Sequence, residues 1–231
     1  ECDLSKTDGK KKTRIKGLPK LEDAEKAGTS ESQNCTIIFT EGDSAKTFAV
    51  SGLSIVGRDK YGVFPLRGKL LNAREATTLQ LLNNEEIKAI KQILGIQSGK
   101  EYTKASEFRY GRIMILTDAD YDGSHIKGLL INVLHYLCPS MVNIEGMFTA
   151  MITPVLKITK GVQQHSFYTI NEFEEYKESN SLNGWKIKYY KGLGTSTSNE
   201  AKEYFKNMSK HLVEYSWNEK SEEAIRLYKS T

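Results

Sequence analysis

Three carboxylates at alternate positions, Asp118, Asp120 and Asp122, stand in the stretch Asp118-Ala119-Asp120-Tyr121-Asp122-Gly123. Like charges this close are unfavourable unless a cation offsets them. Hard oxygen ligands suit Mg2+, which keeps much of its water shell and binds through one or two carboxylates plus substrate phosphates. Phosphoryl-transfer sites use this arrangement. Other readings of the same stretch compete. D-x-D-x-D-G opens a Ca2+-binding loop, but that loop needs Glu at its twelfth position. Here the twelfth residue is Leu129, and a strand rather than a helix comes before it. A phosphatase with an Asp nucleophile also suits a strand ending in D-x-D, yet it leaves a second acid, Glu41, without a role. A solvated helix N-terminus accounts for one Asp through the helix dipole, not for three.

Glu41 is the other half of the constellation. It lies between an apolar run and a helical pattern, beside Gly42, and could be a metal ligand or a general acid–base group. Asp43 or Ser44 is expected to cap the following helix. His125, in the first turn after Gly123, is placed to touch a phosphate or to pack near the metal. His135, His165 and His211 have no partners at metal spacing and are given no role.

The elements that must position these acids follow from periodicity. Thr36-Ile37-Ile38-Phe39-Thr40 is a short β-branched, apolar run, as in a strand buried on both faces. Ala45, Phe48, Ala49, Gly52, Leu53 and Val56 then recur at helical spacing. The unit repeats: a strand over 61–66, a helix marked by Ile87, Ile90 and Leu94, and a strand over 112–117. Ile126, Leu129, Leu130, Val133, Leu134 and Leu137 mark an amphipathic helix that Pro139 stops. A fourth strand is expected within 148–158. Alternating apolar strands and amphipathic helices predict a parallel sheet covered on both faces. Ligands of such sheets sit beyond the carboxyl ends of the strands, where both acidic clusters fall. Beyond about residue 160, strands are predicted at 167–170 and 185–190, a helix capped by Asn171, and another over 199–213.

The chain has 231 residues, 39% hydrophobic and 27% charged, with a net charge of +4. That is enough for one sizeable core, and the charge alone says little about nucleic acid. Residues 1–34 are polar, and Lys10, Lys11, Lys12, Arg14, Lys16 and Lys20 crowd one part of them. Taken alone this is a solvated arm; the sharper alternative is a phosphate-contacting one. The longest apolar runs are too short to span a bilayer. Cys2, Cys35 and Cys138 are three, far apart and without a CxxC pair, so a reduced compartment fits and a structural zinc site does not. A polar start without Met and a polar end suggest a piece of something longer.

Four segments in order are specific enough to mark a family. They are Glu41-Gly42-Asp43-Ser44-Ala45, Pro65-Leu66-Arg67-Gly68-Lys69-Leu70-Leu71-Asn72, Asp118 to His125, and Lys188-Tyr189-Tyr190-Lys191-Gly192-Leu193-Gly194-Thr195. Together they resemble type IIA DNA topoisomerases, in the eukaryotic rather than the bacterial form. The resemblance implies a TOPRIM fold, a Rossmann-like α/β sheet flanked by helices, over 35–160. It makes 1–34 a basic arm or linker, and 161–231 an α+β extension leading towards a winged-helix DNA-gate domain outside the chain. It implies Mg2+ held by Glu41, Asp118 and Asp120 with Asp122 in support, where Mn2+ or Ca2+ can substitute. Arg67, Lys69 and Asn72 would lie near cleaved double-stranded DNA, with His125, Lys191, Gly192 and Gly194 as further DNA contacts. Inhibitors of the family would sit near Gly42, Asp43 and Arg67. The nucleophilic tyrosine and the ATP-hydrolysing domain would lie elsewhere, in a nuclear homodimer with no membrane association, so this piece alone is expected to be inactive.

Overall fold

The computed structural model describes residues 4–227; Cys2 lies outside them. Its centre is a five-stranded sheet in the order β2-β1-β3-β4-β8. β1 (Thr36–Glu41), β2 (Tyr61–Leu66), β3 (Arg112–Leu116) and β4 (Phe148–Met151) are parallel. β8 (Leu212–Glu214) adds an antiparallel edge against β4. The apolar runs of β1 and β3 have a direct cause. Ile37, Phe39, Ile113 and Ile115 point into one core, and Ile38, Met114 and Leu116 into another. A strand buried on both faces needs no polar alternation.

One face is covered by α1 (Gly42–Val56) and α6 (Ser198–Lys206), through Phe48, Leu53, Tyr204 and Phe205. Gly52 permits this contact: a Cβ there would overlap the Phe205 ring. The other face is covered by α3 (Glu85–Leu94) and α4 (Tyr121–Leu137). α4 buries Ile126, Leu129, Leu130 and Leu134 in that core, and full burial of each such side chain stabilises the fold by roughly 1.5–3 kcal/mol. α2 (Thr78–Asn83) precedes α3 and begins in a capping box at Thr77 and Gln80.

The polar segment before β1 is docked, not solvated. Ala24 and Ala27 are buried, and Leu18 and Leu21 pack on the core. Glu22 bridges Val63 with two backbone hydrogen bonds of 2.9 and 2.8 Å, covering the outer edge of β2. Two fully buried cations tie the segment down. Arg109 pairs with Asp23 at 2.7 Å and Lys91 with Asp8 at 2.8 Å. Composition hid this, because the anchoring cations lie 80 or more residues away.

The later part departs from expectation in its details. The predicted fourth strand is two: β4, and β5 (Leu156–Lys160), which belongs to a separate antiparallel sheet ordered β6-β5-β7 with β6 (Gln163–Phe167) and β7 (Lys186–Tyr189). α5 (Ile170–Ser179) is capped by Thr169, not Asn171: Thr169 Oγ1 accepts from the N–H of Glu172, whose carboxylate returns the contact. The predicted helix over 199–213 is α6 followed by a turn and β8, and α7 (Glu219–Leu227) follows. No described helix is long and apolar enough to cross a membrane.

Candidate metal centre

β1 and β3 are adjacent and in register, with Thr40 opposite Leu116. Their carboxyl ends therefore bring Glu41 and Asp118 to one edge. The Asp118 N–H donates to Glu41 Oε2 at 3.2 Å. Burial pushes the Glu41 carboxyl above its usual range; the Asp118 N–H pulls it back, and the charges of Asp118, Asp120 and Asp122 push it further up. The edge thus concentrates negative charge with few donors to offset it. Asp120 and Asp122 are exposed and open α4. Asp120 is the cap of that helix, its Oδ1 accepting the Gly123 N–H at 2.7 Å. Gly123 has to be glycine, because a Cβ would collide with the Asp118 carbonyl.

Among the described residues, no three Asp, Glu, His or Cys side chains are already gathered into a closed metal cage. The donor set nevertheless fits Mg2+, which keeps several waters and takes one or two carboxylates plus substrate phosphates. Glu41, Asp118 and Asp120 would hold it, with Asp122 in support.

The Lys-Gly-Leu-Gly segment meets this edge from the other side. Leu193 N–H donates to Asp118 Oδ1 at 2.7 Å. Gly192 lies against the same carboxylate so closely that a Cβ would overlap it. Gly192 is thus a close-approach residue that lets the extension orient Asp118. Gly194 only touches Ser44, at 3.6 Å from where its Cβ would be. Lys191 is exposed.

The remaining candidates spread around the edge. Arg67 is exposed, with Nε 3.8 Å from Glu86 Oε1. Lys69 Nζ reaches Asp122 Oδ1 at 3.3 Å, so a cation already leans over the acidic cluster. Asn72 is turned inward: it is buried, and its Oδ1 accepts from the Arg74 N–H at 3.2 Å and from Asn132 Nδ2 at 2.7 Å. That geometry fastens the basic loop to α4. His125 is buried and stacks on exposed Tyr121, with ring centroids 6.4 Å apart. Neither Asp43 nor Ser44 caps α1; Glu41 holds the cap position without a side-chain bond. Asp43 instead pairs with Lys20 at 2.7 Å, and this hydrogen bond holds its carboxyl below the usual range. Gly42 has a φ of 71° with open space around it, a turn that glycine makes at low cost.

Two site residues escaped the sequence reading. Lys127 lies half-buried in α4. Burial pushes its ammonium below the usual value, against the charges of Glu41 and Asp120. Its signal was its place, seven residues or two helical turns past Asp120. Lys20 was lost among its basic neighbours.

The family of the chain follows from comparison with known proteins. A model of the Toprim domain matches residues 36–151, and one of the C-terminal associated domain of TOPRIM matches residues 151–230. The chain belongs to the Toprim family, in the form found in DNA topoisomerase 2 proteins. It is 55% identical to DNA topoisomerase 2 of Plasmodium falciparum over 90% of its length, and 54% identical to DNA topoisomerase 2-alpha of Homo sapiens over 93%. It spans 15% and 14% of those two relatives. A solved structure of the Plasmodium falciparum topoisomerase II DNA-binding, cleavage and re-ligation domain superposes with a TM-score of 0.90 at 52% identity. That match covers 94% of this chain and 30% of the other.

Proposed function

We propose that this chain is the Mg2+-holding part of an ATP-dependent type II DNA topoisomerase. Residues 35–160 form the metal-binding domain, 1–34 a basic arm, and 161–231 an extension towards the DNA gate. The observation that carries the reading is the meeting of Glu41 with the Asp118 backbone at adjacent strand ends, beside two further carboxylates on the cap of α4. A tyrosine outside this chain attacks a DNA phosphate, and reversal of the step reseals the strand. Bound Mg2+ would neutralise charge on the scissile phosphate and the leaving 3′ oxygen. Glu41 and Asp118 hold their carboxylates at that edge. Asp118 is kept in orientation by the Leu193 N–H. Arg67 and Lys69 pair with neighbouring phosphates. ATP is used by another domain of a nuclear homodimer acting on double-stranded DNA.

The test is a Mn2+ titration of the 15N-labelled protein by NMR, with Mg2+ competition. Selective broadening at Gly42 and over 118–123, reversed by Mg2+, is the expected result. A folded protein without selective broadening at those positions would sink the assignment of the site.

A further inference from the structure

Five cations, Lys10, Lys11, Lys12, Arg14 and Lys16, fall within seven residues and are all exposed. Lys11 is spent on the carbonyl of Ser106. Among the described residues, the other four pair with no acid. The one acid lining their groove, Asp8, is taken by Lys91 at 2.8 Å and by the Ser98 N–H and hydroxyl at 2.9 and 2.7 Å. The groove has a volume of about 400 Å³.

The backbone under these side chains is fixed from inside the fold. Gly9 donates to the Ile96 carbonyl at 2.8 Å and lies so close to the Lys91 carbonyl that a Cβ would collide. The Lys12 carbonyl accepts from Arg109, a fully buried cation. Gly28 packs on that same carbonyl with no room for a Cβ. Ile15 anchors the strap to the core. A buried frame therefore holds four unneutralised cations together, although like charges repel. A mobile arm would let them separate; this one focuses a positive field. The strap is also continuous with the metal edge. Four residues beyond Lys16 stands Lys20, which pairs with Asp43 in the first turn of α1, and Lys46 donates to the Lys20 carbonyl at 2.9 Å.

We propose that Lys10, Lys12, Arg14 and Lys16 form a phosphate-tracking surface that binds the backbone of duplex DNA outside the cleavage edge. This rests on the reading that the chain acts on DNA. The chemistry favours a duplex over its competitors. Residues 10–16 carry no aromatic side chain on which unpaired bases could stack and no exposed apolar wedge for a lipid surface. Contacts of this kind position DNA without reading its sequence.

The test uses the full-length protein that carries this chain, in EDTA, with fluorescence anisotropy of a labelled duplex over a series of NaCl concentrations. Each phosphate contact contributes about 0.9 to the logarithmic salt slope, so each one lost weakens binding by up to about eightfold at 0.1 M salt. The quadruple variant Lys10→Gln, Lys12→Gln, Arg14→Gln, Lys16→Gln should lower the slope by about 3.6 and weaken binding at least tenfold. The variant Lys10→Arg, Lys12→Arg, Lys16→Arg should bind as wild type. An unchanged slope in a folded quadruple variant overturns the proposal. So does a strap that binds phosphatidylserine vesicles while leaving duplex affinity untouched. Glu41→Gln separates the two readings: it should abolish metal-dependent cleavage and leave the EDTA salt slope unchanged. Retained cleavage in that variant, with a strap-dependent slope, would remove the metal assignment and keep the strap.

Discussion

Two glutamates, one at the acidic strand edge and one in the first turn of α6, live in opposite electrostatic worlds. Glu41, at the end of β1, accepts one N–H at 3.2 Å and faces three aspartates. Glu200, in the first turn of α6, is surrounded by donors. Lys188 Nζ lies 2.8 Å away, the Thr197 N–H 2.8 Å, the Thr197 hydroxyl 3.1 Å, and the Tyr190 hydroxyl donates as well. Burial alone would raise the Glu200 carboxyl, but these donors outweigh it and hold it down to about 2. A carboxylate so satisfied is a structural part. One pushed upward among like charges is where, on the proposed function, a bound cation would sit. The fold keeps the two apart by saturating one and leaving the other short of donors.

The sharpest way to break this contrast is to remove charge from the unsatisfied edge. Asp120→Asn keeps an oxygen to accept the Gly123 N–H, so the cap of α4 survives. If the proposed function holds, DNA cleavage by the full-length protein that carries this chain should fall by at least about a hundredfold, the scale of losing one preorganised electrostatic group, with the thermal midpoint within a few degrees of wild type. Glu41→Gln should behave alike. Cleavage at the wild-type rate by either variant, measured on supercoiled plasmid, would place the metal elsewhere.

Gly192→Ala acts on the contact between the two regions. An added Cβ would overlap the Asp118 carboxylate, so either the carboxylate or the Lys-Gly-Leu-Gly turn must move. Forcing atoms into such a space costs about 1–3 kcal/mol. Gly194→Ala, with its nearest neighbour at 3.6 Å, should cost far less. Chemical denaturation would read both, and equal costs would mean that the turn yields without disturbing Asp118.

This pair also shows what the sequence could and could not say. Both glycines stand in one motif, and nothing in their spacing separates a collision from open contact. The same holds for the acids. Three carboxylates after an apolar strand declared a charged edge, because alternation along a strand is a local property. Adjacency of β1 and β3 depended on strand order, which only the sheet supplies. Asn72 reads as a polar loop residue beside Arg67 and Lys69, yet it points inward to Asn132, sixty residues on. The polar segment before β1 looked solvated because its partners, Lys91 and Arg109, are remote in sequence. Local patterns were legible; long-range polar pairing was not.

The saturated side offers a pH test. The Glu200 side chain is 18% exposed, and its folded value of about 2 lies below the 4.5 expected unfolded. A depressed carboxylate stabilises the fold above its unfolded value, and that stability is lost as pH falls from about 4.5 towards 2. The full shift corresponds to at most about 3 kcal/mol. Glu200→Gln should therefore be destabilised by about 1–3 kcal/mol at pH 7, with the gap from wild type closing below pH 4.5. Denaturant midpoints at pH 7, 4 and 2.5 would measure it. A gap independent of pH would mean that Glu200 acts through packing rather than charge.

The smallest expected effect isolates what Lys188 and Tyr190 add to Glu200. The chain uses the same four-residue cap twice, Thr169-Ile170-Asn171-Glu172 at α5 and Thr197-Ser198-Asn199-Glu200 at α6. At α5 the Glu172 carboxylate accepts from the backbone N–H groups of Tyr168 and Thr169. At α6 a lysine and a tyrosine join in. Thr169→Ala should cost about 1 kcal/mol, the ordinary loss of an N-cap, while Asn171→Ala, one step inside the helix, should cost a few tenths. Thr197→Ala should exceed Thr169→Ala, because it also loosens the carboxylate that Lys188 and Tyr190 share. Equal costs for the two threonines, read from urea midpoints, would mean that the cap and the ion pair at α6 are independent. The contrast between the two acidic regions would then rest on the lysine and tyrosine alone.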